Sequence, residues 1–322
     1  MSSQMTTTGD IAAVNSFFDR DLLFRAQPRL VHNRFGQTKS IPAGNSSVVT
    51  FSRFTNLSAA TTPLVEGVTP PGSKLAVTRI TATVQQYGDY ITLSDRLTMT
   101  TLDPVRLESN MLLGDQAGNT LDQLTRDILV AGTNVIYAGS GNTARNEVAA
   151  GDVITLANIQ AAELVLKAAN TMYVTSFVDP STGFNTVPLP PSFIGIAHIY
   201  TTPTIRAMTG FTKVELYSQP GARMDGEIGK VESTRFIETV SAKVFTGAGT
   251  SNIDIYATII MGAYAYATTA IAGHALENIV KPLGSAGAAD PLNQRETSGW
   301  KATFVAKILN DDFIVRIEHA RV

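Results

Sequence analysis

The stretch DPVRLESNMLLGDQAGNTLDQLTRDILVAG, Asp103 to Gly132, is the one long helix signal in the chain, and it divides a strand-rich segment from everything downstream. Asp103 can accept from the orphan amides of a first turn, Pro104 suits the first helical position, and Gly132 suits a stop. Leu113, Ala117, Leu121, Leu124 and Ile128 recur at three- and four-residue steps and form one apolar stripe. At about 1.5 Å per residue such a helix spans on the order of 40 Å, long enough to be the backbone of a domain. Gly114 and Gly118 each cost roughly 1 kcal/mol against Ala inside a helix. Either a neighbouring backbone approaches closely there, or that face is slack and exposed.

Upstream, Ile11, Val14, Phe18 and Leu22 are spaced for a short amphipathic helix behind Asp10, ended by Pro28. Between Gly36 and Ser94 the character changes. A Thr-rich outward run, SSVVTFSRFTN, is followed by the Pro/Gly-marked TTPLVEGVTPPGS and a return run, LAVTRITATVQQYGDYITLS, which together predict a long hairpin-like arm. Thr78, Arg79, Thr81, Thr83, Gln85 and Gln86 leave it little apolar surface to bury. Ordering costs about 1–2 kcal/mol per residue of backbone, while cross-strand pairs return about 0.2–1 kcal/mol each. Two outcomes are open: the arm packs as an ordinary sheet on its own core, or another copy of the chain holds it.

Downstream, Leu156 to Ala169 predicts a second helix capped by Thr155. FIGIAHI, Phe193 to Ile199, predicts a buried strand after a loop-forming PLPP, Thr202 and Pro203 open a brief helix, and Glu227 to Val240 reads as one strand. The uncharged IYATIIMGAYAYATTAIAG, Ile255 to Gly273, approaches bilayer-spanning length. It has no Leu and no flanking Lys or Arg, and carries Thr258, Thr268 and Thr269. It is therefore read as a buried strand from Ile253 to Ile260, running through Gly262 into a short internal helix. At the C-terminus Trp300, Ala302, Phe304, Ala306 and Ile308 alternate with Lys301, Thr303 and Lys307. After Asn310, Asp311 and Asp312, Phe313, Val315 and Ile317 alternate with Arg316 and Glu318. That pattern predicts a hairpin with one apolar and one charged face, packed on the stripe of the long helix. Strands and helices mix without regular alternation, so the class is α+β.

The 322 residues suffice for one large or two ordinary domains. A formal charge of −2 argues against a protein that finds nucleic acid by electrostatic attraction. The absence of cysteine rules out a disulfide framework, a thiolate metal site and a thiol nucleophile. MSSQMTTTGD lacks the apolar core of a signal peptide. The sequons at Asn45 and Asn56 matter only in a secreted eukaryotic protein.

No catalytic, cofactor-binding or metal-binding constellation is evident, and the chain is not expected to be an enzyme. Gly139-Ser140-Gly141-Asn142-Thr143-Ala144 matches the dinucleotide pattern with Ala last, but Arg145 to Asp152 is too short and broken for the helix such a site needs. His32, His198, His274 and His319 show no metal-ligand spacing and read as structural histidines. Asp311 and Asp312 are adjacent in a turn, where Asp is common for backbone reasons.

Taken together, LVHNRFGQ (Leu30 to Gln37), TPLVEGVTP (Thr62 to Pro70), QQYGDYITLSD (Gln85 to Asp95), GEIGKVESTRFIETV (Gly226 to Val240) and the block from Asn278 to Ala320, with its DPL and QRETSGWK, occur in an order that resembles one family. This is the major capsid proteins of tailed bacteriophages with the Hong Kong 97-type fold, in the branch named after the coat protein of coliphage N-four. The resemblance implies an N-terminal arm over residues 1–35 and an extended loop over 36–94 laid on a neighbouring subunit. It also implies a peripheral domain over 95–170 and 290–322 with the spine helix 103–132, and an axial domain over 171–289. The function it implies is self-assembly of hexamers and pentamers into an icosahedral shell around double-stranded DNA, assembled in the bacterial cytoplasm, with non-specific DNA contact and no membrane. Portal, scaffolding or cement proteins are further candidate partners. An encapsulin-like nanocompartment or a tail or fibre component is the alternative. Some relatives cross-link subunits through a Lys and an Asn; Lys39 and Lys74 flank the arm here, where a solvated lysine needs no such explanation.

Overall fold

The computed structural model describes residues 30–42, 44, 46–54, 57–64, 66–70, 72–100, 105–178, 186–217, 223–285 and 290–321. The amphipathic segment from Ile11 to Leu22, Asp103 and Pro104, and the sequons at Asn45 and Asn56 lie outside these. In chain order come β1 (Gln37–Ile41), β2 (Val48–Phe54), β3 (Val77–Thr83) and β4 (Gln85–Ser94), then a short helix, Asp95–Thr100, and the long helix, Val105–Val130. Next come β5 (Val135–Tyr137), the helix Leu156–Ala168, β6 (Val174–Val178), β7 (Thr186–His198), the helix Thr202–Arg206 and β8 (Thr212–Lys213). The remainder is strands: β9 (Glu227–Val231), β10 (Thr234–Thr239), β11 (Val244–Phe245), β12 (Ile255–Met261), β13 (Tyr266–Ile271), β14 (Glu277–Lys281), β15 (Arg295–Ile308) and β16 (Ile314–His319).

Among the described residues the strands form three sheets. In the first, β15 is central: β4 runs along one side from Ser94↔Arg295 to Gln85↔Phe304, and β14 and β13 share the other, with parallel β1 beyond β13. The long helix lies on this sheet as its stripe predicts. Leu113, Ala117 and Leu121, with Leu124 and Ile128, pack against Trp300, Ala302, Phe304 and Ala306. Gly114 and Gly118 are both buried, so the slack exposed face is excluded. Trp300 Nε1 donates to Gln116 Oε1 (3.1 Å), and Gln116 in turn donates to Asp89 Oδ2 (2.6 Å) on β4, so one glutamine ties helix to sheet.

The second sheet follows the order β5-β16-β12-β7-β10-β9-β8, with β6 also on β7 and β11 also on β12. Both of its faces are covered. Phe193, Ile260, Val315 and Ile317 meet the helices 156–168 and 202–206 on one side, while Ile194, Ile259 and Ile314 meet Leu129, Val130 and Tyr266 on the other. The third sheet is β2 paired with β3 alone, from Val48↔Thr83 to Phe54↔Val77.

The predicted second helix forms with its cap: Thr155 and Asn158 make a reciprocal capping box. Four expectations are corrected. First, β15 and β16 are not a hairpin. The turn at Asp311–Phe313 carries the chain into the second sheet, where all six residues of β16 are buried. Arg316 and Glu318 alternate with apolar residues because they pair inside the protein, not because they meet water. Arg145 donates to both Glu318 oxygens (2.6 and 2.7 Å), and Arg316 Nε stands 2.7 Å from the same carboxylate.

Second, the segment after Gly262 is strand β13, not a helix. A Cβ on Gly262 would fall 2.1 Å from Thr171 Cγ2, so the segment at Thr171 packs directly on the backbone there, and the β-branched Thr268, Thr269 and Ile271 suit a strand. Third, Glu227 to Val240 is two strands. Glu232 takes a positive φ of 52°, and the Ser233 amide donates to buried Glu163 (2.9 Å), which fixes the reversal. Fourth, PLPP lies inside β7. The β6–β7 register shifts between Val174 and Ser176, and that irregular pairing is where a sheet tolerates prolines.

Candidate assembly surface

The arm grows directly from the first sheet, since only Val84 separates β3 from β4. Its root is held by a small cluster, Ile41, Val49, Ala82 and Val84, with Phe51, Ile271 and Val305 around it. Arg53 Nη1 donates to Asn310 Oδ1 (2.5 Å) across a cleft of about 710 Å³ that separates arm from body, and Lys39 lies over the Phe51 ring at 5.6 Å. Beyond this root the arm buries little. Phe54 is 61% exposed, Leu64 78% and Leu75 62%, and Leu57 and Val68 are similarly bare. Each large apolar side chain gains about 1.5–3 kcal/mol on full burial, so these residues hold an unspent driving force for association.

The segment before the arm is fixed to the long helix by a buried carboxylate. Asp122 accepts from the amides of Val31 and His32 (both 2.7 Å) and from His32 Nδ1 (2.8 Å), and both side chains are fully buried. Tyr266 donates its hydroxyl hydrogen to the His32 carbonyl, and the Tyr266 hydroxyl oxygen accepts from the Phe35 amide (3.2 Å). Burial pushes that phenol far above its ordinary pKa, so it stays a donor.

The remaining histidines have separate settings. His198 accepts from the Tyr200 amide (3.2 Å), and burial lowers its pKa. Exposed His274 contacts Glu277. His319 is buried, with Thr258 Oγ1 at 2.9 Å from Nε2, and burial pushes its pKa down to about 4. His198 and His319 both lie beside Tyr256, with ring centroids 5.1 and 6.3 Å away. Their separation in sequence hides this shared contact. Among the described residues no group of three or more His, Asp or Glu is placed to hold a metal ion, and no helix is long and apolar enough to cross a membrane.

At Gly139–Ala144 the two glycines take positive φ, and Arg145–Glu147 is a single 3-10 turn. The amides that a phosphate would need are occupied: Glu147 accepts from Thr143 N (2.7 Å) and Ala144 N (3.1 Å), which holds its carboxyl below the usual range. A carboxylate there repels an anion. Asp311 accepts from the Thr133 amide (3.1 Å), pinning the end of the long helix to the turn before β16, and Asp312 lines the arm cleft.

No family model and no curated protein sequence matches this chain. Solved structures do. The capsid of Ralstonia phage GP4 superposes with a TM-score of 0.65 at 14% identity, over 89% of this chain and 87% of that one. The chain carries the Hong Kong 97-type shell fold. The cyanophage Pam1 capsid shares it, with a TM-score of 0.65 at 15% identity over 92% of each chain. The SrpI encapsulin of Synechococcus elongatus shares it at 7% identity and a TM-score of 0.54, over 88% of this chain and 85% of that one. At such identities the likeness is one of architecture. Within the Hong Kong 97-type shell fold of this chain, sequence reasoning found the arm from its Thr-rich, apolar-poor legs. It missed the buried polar anchors, Asp122 and Glu318, because both sit on patterns that also describe a solvated face.

Proposed function

We propose that this chain is the major capsid protein of a tailed bacteriophage, assembling in the host cytoplasm into an icosahedral shell around double-stranded DNA. The observation that carries the reading is an arm whose apolar residues beyond the root, Phe54, Leu57, Leu64, Val68 and Leu75, are exposed, on a body with the Hong Kong 97-type shell fold. The mechanism is geometric. Residues 171–289 form an axial domain gathered around each hexamer or pentamer, and residues 95–170 and 290–322 form a peripheral domain at its border, with exchange between them: β13 and β14 lie in the sheet of β15, while β5 and β16 lie in the second sheet. The loop 36–94 covers a neighbour, and residues 1–35 extend as a further arm. Heterologous contacts repeated around closing symmetry axes give a closed particle, and the number of copies multiplies modest contact energies.

The near-neutral charge suits a container into which DNA is driven, with only non-specific contacts to the genome. Portal, scaffolding and cement proteins are the further partners such a shell would take. The ordered sequence blocks from Leu30 to Ala320 favour the coliphage N-four branch. The likeness to SrpI favours one second reading, a nanocompartment filled with protein cargo. Negative-stain microscopy of particles made in bacteria, with their content assayed for DNA and for protein, separates the two. A chain that stays monomeric at high concentration overturns both.

A further inference from the structure

The face of the second sheet that turns away from the helix 156–168 carries a cavity with a polar floor. Side chains alternate along a strand, so Ser192 lies on the face of Ile194, opposite to Phe193. Strand register extends that face across four strands. Ile194 of β7 pairs with Arg235 of β10, Arg235 with Lys230 of β9, and Lys230 with Thr212 of β8. Ser192, Arg235, Lys230 and Thr212 floor a cavity of about 340 Å³, and Pro190, Pro191 and Leu216 give it an apolar wall.

The character of the cavity follows from which groups are already taken. The Glu227 carboxylate accepts from Arg235 Nε (2.7 Å) and Nη2 (2.6 Å), from the Tyr217 hydroxyl (2.8 Å) and from the Met224 amide (3.1 Å). That acid and that guanidinium therefore neutralise each other. Glu232, at the rim, accepts from Gln160 Nε2 (3.0 Å) of the helix on the opposite face, which draws its carboxylate aside. Lys230 is exposed and forms no ion pair among the described residues. Ser192 is only 5% exposed, yet its hydroxyl has no hydrogen-bond partner among the described residues. A buried hydroxyl left unpaired destabilises a fold, so it marks a place where a ligand completes the pair.

We propose that this cavity binds a carboxylate carried on a compact apolar body. The carboxylate accepts from the Ser192 hydroxyl and the Lys230 ammonium, and the body lies against Pro190, Pro191 and Leu216. A singly charged head suits one unpaired ammonium beside a hydroxyl donor, whereas a dianion such as phosphate would meet the Glu232 carboxylate with one free cation to balance it. The volume is at the small end for ligand sites, which suits a short aliphatic acid or the C-terminal residue of a peptide.

Saturation-transfer NMR on the full-length chain, with hexanoate as probe and hexanamide as its neutral counterpart, tests the site. Hexanoate should give a saturable signal and hexanamide none. Lys230→Gln should weaken hexanoate by at least about tenfold and Ser192→Ala by roughly threefold. Because the Ser192 hydroxyl has no partner within the fold, the urea midpoint of Ser192→Ala should equal or exceed that of the wild type even as its affinity for hexanoate falls. A merely structural serine would show the reverse. Competition by acetyl-alanyl-leucine, but not by its C-terminal amide, assigns the site to a peptide terminus; no competition by either assigns it to a free acid. Absent hexanoate binding, equal binding of hexanamide, equal competition by inorganic phosphate, or undiminished binding in both variants would overturn the assignment.

Discussion

Replacing His319 with Gln should make the unassembled subunit less sensitive to acid. The imidazole is fully buried at the end of β16, and the Ala320 carbonyl 2.8 Å from Nδ1 can only accept, so Nδ1 carries the hydrogen and Nε2 accepts from Thr258. The groups around it are Glu318, with Arg145 and Arg316 on that carboxylate, and the stacked ring of Tyr256. Burial outweighs the two opposing influences, the Ala320 carbonyl and the Glu318 charge, and sets the pKa at about 4 against an ordinary 6.5. The folded state therefore disfavours the proton. Its neutral imidazole contributes full stability above pH 6.5, and that contribution is lost as pH falls toward 4, because the unfolded chain takes up the proton first. Between pH 7 and pH 4.5 the linkage amounts to about 2 kcal/mol. Gln preserves one donor and one acceptor but does not titrate. Urea midpoints of wild type and His319→Gln, measured at both pH values, should show a pH dependence smaller in the variant by roughly that amount. Every other titrating group is common to both proteins, so the difference between them isolates the imidazole. Equal pH dependences would refute the burial argument.

Four other outcomes are expected. Trp300→Ala should cost about 3–5 kcal/mol, because it empties the space between Leu113, Ala117 and Leu121; thermal melting followed by circular dichroism measures it. Glu318→Gln should cost about 3–5 kcal/mol by leaving Arg145 and Arg316 without their buried charge, and Arg145→Met/Arg316→Met/Glu318→Leu, which removes all three charges, should recover much of the loss in denaturant titrations. Asp122→Ala should strip two buried amides and an imidazole of their acceptor, costing on the order of 3 kcal/mol, and should speed protease cleavage near Arg34 relative to the rest of the chain. Deleting Thr61 to Lys74 should leave the melting temperature of the soluble subunit nearly unchanged while abolishing stable particles in electron micrographs; normal particles would remove the arm from the mechanism.

The long helix was readable because its stripe follows the helical period without interruption and its partner strand β15 alternates cleanly. β15 and β16 were misread as a hairpin for a physical reason. Alternating charge is the usual mark of a solvated strand face, and nothing local distinguishes it from charge paired across the fold, as in Arg145, Arg316 and Glu318. The reversal at Glu232 was hidden because a non-glycine residue takes the left-handed conformation there, held by Glu163 about seventy residues away in sequence. Long-range acceptors of this kind leave no trace in a window of neighbours. The arm's shortage of apolar burial was legible from composition alone, and the exposure of Phe54, Leu64 and Leu75 agrees with it.

The single residue between β3 and β4 has a mechanical consequence. A pull on the far end of the outrigger travels along one unbroken polypeptide into β4, whose rungs to β15 run from Gln85 to Ser94 along the direction of that pull. Those rungs are strained together in shear instead of being peeled one after another. If the chain builds the proposed shell, tension carried by the arm would load the β4–β15 seam in its most resistant direction.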